Sequence, residues 1–392
     1  MHRTEMEVGG SAQLFQSRAG TPGPCQSRES AEIDWSHNRY RNIATKGCRG
    51  KVVRMTESER WSRVELASWP TPLERAPRLA VALGLGEDDL WIKRDDLTGL
   101  GGGGNKVRKL EWLAGTALAQ GATTLVTSGA PQSNHARLTA AVGARLGLKV
   151  VLVLAGEPSA SKSGNLALDG ILGASVVHVG DLTRGQIDEA VEDIAESVRR
   201  SGSFPAVIPF GGSSVLGAQG YVDGGLELLE QVPDLDTVLV AVGSGGTMSG
   251  LVHVLGADRV LGVDCGAVSD PVATVTELVN GLSAHGGVPK LRLRLDQVGN
   301  GYSKLSAEVE DAIVLAARTE GSPGSLLHGA RSCRSGSSDT RQRHQARPPY
   351  RATPHRRNAW SLRTPASHDL GSEAAGGATL VWSVTVQRSA SA

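Results

Sequence analysis

The chain has 392 residues, of which 40% are hydrophobic and 21% charged, enough apolar material for one large domain or two to three smaller ones. Aromatic residues make up only 4%, which argues against a stacking surface for single-stranded nucleic acid. The 41 basic and 40 acidic residues nearly cancel, but the basic ones concentrate at the two ends, so the folded body is acidic and unsuited to binding nucleic acid.

The two ends of the chain differ from its body. Residues 1–60 are rich in Ser, Arg, Gly and Gln without an apolar period, which predicts a disordered extension, with Met55 as an alternative start. Residues 322–392 are rich in Ser and Arg and are predicted to form an aberrant or disordered basic tail. There is no apolar signal segment, no apolar run near a membrane span and no C-x-x-C pair, so we expect a cytoplasmic protein without membrane or zinc.

Between Val64 and Gly321, short β-branched runs alternate with amphipathic stretches, which predicts parallel twisted sheets covered by helices, the α/β class. The strand candidates, in chain order, are Leu90–Lys93, Thr124–Thr127, Val150–Leu154, Val176–Val179, Ala206–Pro209, Thr237–Val242 and Val260–Val263. The helix candidates are Lys106–Gln120, Asn134–Leu146, Gly164–Leu172, Ile187–Arg199, Leu216–Leu229, Thr247–Leu255, Val272–Asn280 and Ala307–Arg318. Several strands are apolar throughout, as expected where both faces of a sheet are buried.

The first Gly-rich loop, Gly99–Gly104, lies between a predicted strand and a predicted helix. Its consecutive glycines allow the backbone to approach a bound group closely. Asn105 can cap the following helix, and Lys106 lies in the first turn, where the helix dipole disfavours a cation and lowers its pKa. An easily neutralised lysine suits Schiff-base chemistry, although a flexible loop with a solvated lysine is the alternative for an isolated match. Val107 stands where a Walker A loop needs Ser or Thr, which excludes that loop type.

Two further loops lie at strand-to-helix junctions, where open α/β sheets bind ligands. In the second loop, Ser133 or Asn134 taken alone indicates a helix cap, and His135 a structural histidine. The third loop, in VAVGSGGTMSGL, predicts a phosphate cradle of backbone N–H groups, although such turns also occur for packing, and Met248 excludes the Rossmann fingerprint. A neutralisable lysine, a phosphate cradle and a polar turn together indicate pyridoxal phosphate, whose aldehyde a lysine holds as an imine.

At these residues the sequence resembles the family of D-cysteine desulfhydrase and 1-aminocyclopropane-1-carboxylate (ACC) deaminase, pyridoxal-phosphate enzymes similar to the tryptophan synthase β subunit. The resemblance rests on four runs in the family's order: GGNKVRKLEWL, PQSNHARLTAAVGARLGLKVVLV, VIPFGGSSVLGAQGYV and GSGGTMSG. It implies the two-domain fold type II, with a large cofactor-binding domain from residues 64–104 and 201–321 and a small domain from residues 105–200. It also implies a small amino-acid substrate and a homodimer.

The resemblance also implies roles for individual residues. Lys106 would bind the cofactor aldehyde, and Ser133 would contact the substrate carboxylate and assist proton transfer. Asn134 would hydrogen-bond the ring hydroxyl of the cofactor, and Tyr302 would line the substrate pocket. The cofactor phosphate would be held by four residues of the third loop: Gly243, Gly245, Gly246 and Thr247.

The sequence departs from the family pattern in three places. Pro131 replaces an aliphatic residue, and Ser303–Ser306 differ from the pattern that follows the pocket tyrosine. After Gly321, SPGSLLHGAR replaces a motif of the type L-L-D-P-x-Y-x-G-K, which would bring a second tyrosine and the partner of the pyridine nitrogen. A coding sequence that the genetic code allows for Ser322–Arg331, read one base later, encodes Pro-Leu-Asp-Pro-Ser-Tyr-Thr-Gly-Arg. A reading-frame shift near Gly321 is therefore our hypothesis.

The predicted reaction is α,β-elimination on D-cysteine, which gives pyruvate, ammonia and sulfide, with Lys106 as general base or proton carrier. One alternative is deamination of ACC by the same scaffold. Another is an inactive, frameshifted chain without turnover. A third, from a different class, is a nucleic-acid binder that acts through its basic tail.

Overall fold

The computed structural model describes residues 61–158, 163–283, 290–299 and 307–321, and the backbone of three short strands elsewhere in the chain. The helices, in chain order, are α1 Pro77–Ala82, α2 Lys106–Ala119, α3 Asn134–Leu146, α4 Gly164–Ile171, α5 Arg184–Arg200, α6 Val215–Gln231, α7 Gly246–Leu255, α8 Pro271–Leu282 and α9 Ala307–Glu320. The strands are β1 Ile33–Asp34, β2 Arg39–Tyr40, β3 Leu73–Arg75, β4 Leu90–Lys93, β5 Thr124–Gly129, β6 Lys149–Leu154, β7 Ser175–His178, β8 Pro205–Val207, β9 Leu235–Val242, β10 Val260–Asp264, β11 Arg292–Arg294 and β12 Val384–Arg388.

The smaller sheet is entirely parallel, with the strand order β7-β6-β5-β8. All six residues of β5 are buried, because helices cover both faces of the sheet. Leu125 packs in one core with residues of α3, and Val126 packs in another core with Val191 and Ala195 of α5. Neighbouring residues of a strand point to opposite faces, so α3 and α5 lie on opposite sides of the sheet.

The larger sheet has the order β11-β10-β9-β12-β4-β3. Strands β9, β10 and β11 are parallel, whereas β12 lies antiparallel between β9 and β4. Strand β3 forms the other edge and is antiparallel to β4. The core beside this sheet is built from β9, β10, α6, α7 and α8.

Glycines allow three helices to pack closely behind the predicted site. A Cβ on Gly220 of α6 would overlap the carbonyl group of Arg108 in α2. A Cβ on Gly250 of α7 would come 2.5 Å from the carbonyl oxygen of Ala218 in α6. Side chains at these two positions would push α2 and α7 away from α6, so the glycines fix the distance between the two helices that begin at the predicted loops.

The α/β prediction is confirmed, and each predicted helix and strand of the body is present with ends shifted by a few residues. Local sequence patterns do not predict β3, α1 and β11. The small sheet extends past the predicted boundary at residue 200, because β8 pairs with β5. In the two ends of the chain, where the sequence predicts no strands, Val384–Arg388 form β12, and Ile33–Asp34 and Arg39–Tyr40 form β1 and β2. The remainder of the tail lies outside the described residues, and the division into domains stays a prediction.

No helix among the described residues is long and apolar enough to cross a lipid bilayer.

Candidate active site

Lys106 is the first residue of α2 and is 8% exposed. Burial lowers the pKa of its amine from 10.5 to about 8, and the electrostatic interaction with Cys265 opposes this shift. The predicted direction is therefore confirmed, with burial as the leading cause. The predicted cap is wrong: Asn105 has helical backbone angles (φ −58°, ψ −22°), which do not allow the side chain to reach back to the helix N–H groups. Its Oδ1 instead accepts a hydrogen bond from Nζ of Lys106 at 3.4 Å.

The turn Phe210–Gly212 brings the predicted loops together. A Cβ on Gly211 would lie 3.9 Å from Cε of Lys106 and would overlap Oγ of Ser244 in the third loop, the predicted phosphate cradle, which we call the phosphate loop. A Cβ on Gly212 would lie 3.5 Å from Cε1 of His135. The two glycines therefore lie where α2, the second loop and the phosphate loop meet.

Lys109 is a second buried lysine on the same face of α2, one turn after Lys106, and it is 1% exposed. Its Nζ donates to Oγ of Ser213 at 3.0 Å, and it would lie 3.0 Å from a Cβ on Gly246. Burial and the nearby charge of Lys106 hold the pKa of Lys109 well below its usual value. No carboxylate of the described residues forms an ion pair with Lys109.

The phosphate loop begins directly after β9. The backbone N–H of Gly246 donates to Oγ of Ser213 at 3.1 Å, and Ser213 and Ser244 share a hydrogen bond of 2.8 Å. Gly245 has φ +84° and packs against α8, where a Cβ would come 3.1 Å from Thr274. Of the other predicted residues, Gly243 immediately follows β9, and Thr247 is buried in the first turn of α7. Lys109, Ser213 and Ser244 were not predicted, although the three-residue spacing of the two lysines in a helical run could have indicated Lys109.

Ser133 and Asn134 lie at the start of α3. Oγ of Ser133 accepts the backbone N–H of Ala136 at 3.2 Å, so Ser133 caps the helix, as one of the two predicted readings had it. Oδ1 of Asn134 accepts a hydrogen bond from Nδ2 of Asn165 at 3.0 Å. Tyr302 lies outside the described residues.

His135 is a structural residue. Its Nε2 lies 2.9 Å from Oγ1 of Thr127, and that hydroxyl donates to the carbonyl of Ile208 at 2.8 Å. Burial, followed by the positive charges of Lys106 and Lys109, holds the pKa of His135 well below its usual value. The imidazole is therefore neutral and joins α3 to β5.

A buried ionic network lies behind Lys106. Arg108 donates to both carboxylate oxygens of Asp95, at 2.8 and 2.9 Å, and to Glu227 at 2.9 Å. Its guanidinium carbon lies 4.1 Å from the centre of the Trp69 ring, and the indole N–H of Trp69 donates to Glu111 at 2.8 Å. No local pattern predicts this network, since Asp95 and Glu227 lie 13 and 119 residues from Arg108 in the chain. It anchors α2 two residues beyond the lysine.

The model of the family described as pyridoxal-phosphate dependent enzyme matches residues 64–332. The chain belongs to this family. Its cofactor is therefore pyridoxal 5′-phosphate, and the predicted fold type II is confirmed.

Two relatives from archaea bear the name "Putative 1-aminocyclopropane-1-carboxylate deaminase". The Pyrococcus abyssi protein is 42% identical over 223 residues, which are 56% of this chain and 65% of that protein. The Pyrococcus furiosus protein is 36% identical over 274 residues, which are 67% of this chain and 82% of that protein. A solved structure, "Crystal Structure Analysis of the ACC deaminase homologue", has a TM-score of 0.62 and 34% identity, over 69% of this chain and 84% of that chain. The chain thus spans just under two thirds of the first relative.

The described residues fit the cofactor. Lys106 offers a buried amine that is easily neutralised, as attack on an aldehyde requires. Lys109 is a second buried amine without a carboxylate partner in this part of the chain, and it lies beside Gly246 at the N-terminus of α7. A phosphate there would favour the charged form of Lys109 and would itself be favoured by the helix N-terminus. The chain is thus a pyridoxal-phosphate-dependent enzyme.

Proposed function

We propose that this enzyme catalyses α,β-elimination on D-cysteine, in which D-cysteine and water give pyruvate, ammonia and hydrogen sulfide. The observation that supports the proposal best is the convergence of Lys106 and Lys109 on the turn Phe210–Gly212 and the phosphate loop. One lysine lies where it can hold an aldehyde, and the other where it can hold a phosphate.

When bound, the cofactor supplies an electron sink for the bonds broken at the substrate. The chain's own residues would bind and orient the cofactor and the substrate. Lys109 Nζ and the N-terminus of α7 would hold the phosphate, and Lys106 Nζ would hold the aldehyde and carry a proton at the substrate. Oγ of Ser133 would contact the substrate carboxylate, and the amide of Asn134 would hold the ring hydroxyl.

A second candidate is deamination of ACC, in which ACC and water give 2-oxobutanoate and ammonia. The names of the relatives favour it. Both reactions need the amine and the carboxylate of a small amino acid to be held beside a proton-carrying lysine, and the described residues suit either.

The decisive experiment incubates the purified protein with pyridoxal phosphate, reduces it with borohydride and maps the labelled peptide. We expect the label on Lys106, and a label on another lysine, or none, would contradict the proposal. The loaded enzyme is then given D-cysteine or ACC, with sulfide and 2-oxobutanoate as readouts. Sulfide from D-cysteine supports the first candidate, and 2-oxobutanoate from ACC supports the second. If neither product forms, the inactive alternative is supported.

A further inference from the structure

The guanidinium of Arg137 joins the Gly-rich loop before Lys106 to the start of α3. The residue is 2% exposed. Its Nη1 donates to the carbonyl of Gly101, and its Nη2 donates to the carbonyl of Gly103 at 3.0 Å. The same Nη2 lies 3.3 Å from Oδ1 of Asn134, one turn earlier in α3. One buried cation therefore contacts both the loop that leads to Lys106 and the side chain proposed to hold the cofactor ring.

These contacts fix which way the amide of Asn134 faces. Arg137 is only a donor, so the Asn134 atom facing it must be the oxygen. Asn165 leads to the same assignment, because its Nδ2 donates to the carbonyl of Gln132 at 2.8 Å and to Oδ1 of Asn134 at 3.0 Å. Two independent donors thus hold the oxygen of Asn134 on the side of Arg137 and Asn165, and the NH₂ group is directed to the opposite side.

We propose that Arg137, assisted by Asn165, is a positioning residue that presents the Asn134 NH₂ group to the cofactor ring hydroxyl and holds the Gly-rich loop in place. This inference rests on the proposed function. A flipped Asn134 amide would bring an oxygen toward an oxygen of the cofactor and would lose two hydrogen bonds behind it.

Only an arginine fits this position. Its planar fork reaches three acceptors at once, whereas the single nitrogen of a lysine cannot span both loop carbonyls and Asn134. The loop is shaped to receive it, since a Cβ on Gly102 would lie 3.2 Å from Nη1 of Arg137. Asp169 lies close enough to attract the guanidinium, but neither of its carboxylate oxygens has a hydrogen-bond partner among the described residues. The Nη1 and Nη2 groups of Arg137 therefore bond to the loop and to Asn134, whereas its Nε has no hydrogen-bond partner among the described residues.

The test compares Arg137→Gln with Arg145→Gln, the same change at an exposed position of the same helix. Titration with pyridoxal phosphate should show about tenfold weaker binding for R137Q, equivalent to about 1.4 kcal/mol. The visible absorbance band of the lysine-bound cofactor should also move, because its ring hydroxyl loses an ordered donor. R145Q should match the wild type in both readouts, and Arg137→Lys should recover only part of the binding.

A second variant, Asn165→Asp, replaces the donor behind Asn134 with an acceptor of the same shape and leaves Arg137 in place. It should move the absorbance band, and it decides the question if R137Q does not fold. An unchanged band in N165D or in a folded R137Q would overturn the proposal, even if the melting temperature falls, because the role would then be structural only. If the wild type forms no reducible adduct at Lys106, the proposed function fails as well. If the wild type forms this adduct and the absorbance band of the variants does not move, the positioning role alone fails.

Discussion

Arg108, two residues beyond Lys106, forms a two-point ion pair with Asp95 in which both side chains are almost completely buried. Burial alone would raise the pKa of Asp95, but the charge and hydrogen bonds of Arg108, followed by the hydrogen bonds of Tyr221 and Thr71, more than offset it, and the pKa is lowered. The carboxylate is therefore ionised at neutral pH and depends on its partner.

Arg108→Ala would leave the Asp95 charge buried without its partner, so we expect a loss of about 3–5 kcal/mol in the free energy of unfolding. The matched control is Arg199→Ala, which breaks a pair with Glu196 whose side chains are 41% and 52% exposed. That change should cost no more than about 1 kcal/mol. Chemical denaturation of both variants measures the difference, and equal losses would show that the buried pair is not needed for stability.

The lowered pKa of Lys106 predicts a pH dependence for cofactor attachment. Only the neutral amine attacks an aldehyde, so the attachment rate should rise with pH and level off above the pKa of about 8. The folded state also holds this proton less tightly than the unfolded chain, so the charged amine costs stability below about pH 8, and that cost disappears as pH rises toward 10.5. Rates measured by borohydride trapping at a series of pH values provide the check, and a midpoint near 10.5 would exclude a buried amine.

Lys109→Met should weaken binding of pyridoxal phosphate by roughly thirtyfold, the loss expected from one charge-assisted hydrogen bond of about 2 kcal/mol. Binding of pyridoxal, which lacks the phosphate, should change little. Lys149→Met, at an exposed position, is the control for removing a lysine charge. Equal losses for the two ligands would mean that Lys109 does not contact the phosphate.

Asp169 predicts a stability that falls with rising pH. Burial raises its pKa from 3.8 to about 7, so between these values the folded state keeps a proton that the unfolded chain releases. Asp169→Asn, which resembles the protonated acid, should therefore stabilise the protein above about pH 8, by on the order of 2–4 kcal/mol. It should have little effect near pH 4. Melting temperatures at both pH values measure this, with exposed Asp193→Asn as control.

Two glycines with similar positive φ predict different outcomes on substitution. Gly103 has φ +76° and Gly84 has φ +81°, so alanine is strained by on the order of 1–3 kcal/mol at either position. A Cβ at Gly103 would also overlap the carbonyl of Asp96, whereas nothing lies within 4 Å of one at Gly84. Gly103→Ala should therefore displace the Gly-rich loop and reduce cofactor binding, and Gly84→Ala should cost only strain. Similar cofactor affinities for the two variants would contradict a close approach at Gly103.

Most helices and strands of the body follow from local patterns, and so does the position of the Gly-rich loop before Lys106, whereas β3, α1 and β11 do not. The contacts that give the site its chemistry do not. Ser213 reaches Gly246 only because α6 packs against α7, and Arg137 reaches Gly101 only because α3 lies beside the Gly-rich loop. Such pairs are separated by more than thirty residues, and no periodicity in the chain records them. The helix cap at Asn105 failed as a prediction for a related reason, since the identity of a side chain does not fix the backbone angles that a cap requires.

Trp69 lies between two charged side chains, with its ring under the guanidinium of Arg108 and its N–H on the carboxylate of Glu111. Both neighbours belong to α2, the helix that begins with Lys106. The fluorescence of this indole should therefore shift whenever that helix moves. In a chain from which the other tryptophans have been removed, the fluorescence of Trp69 would report on the position of α2 before any cofactor is added.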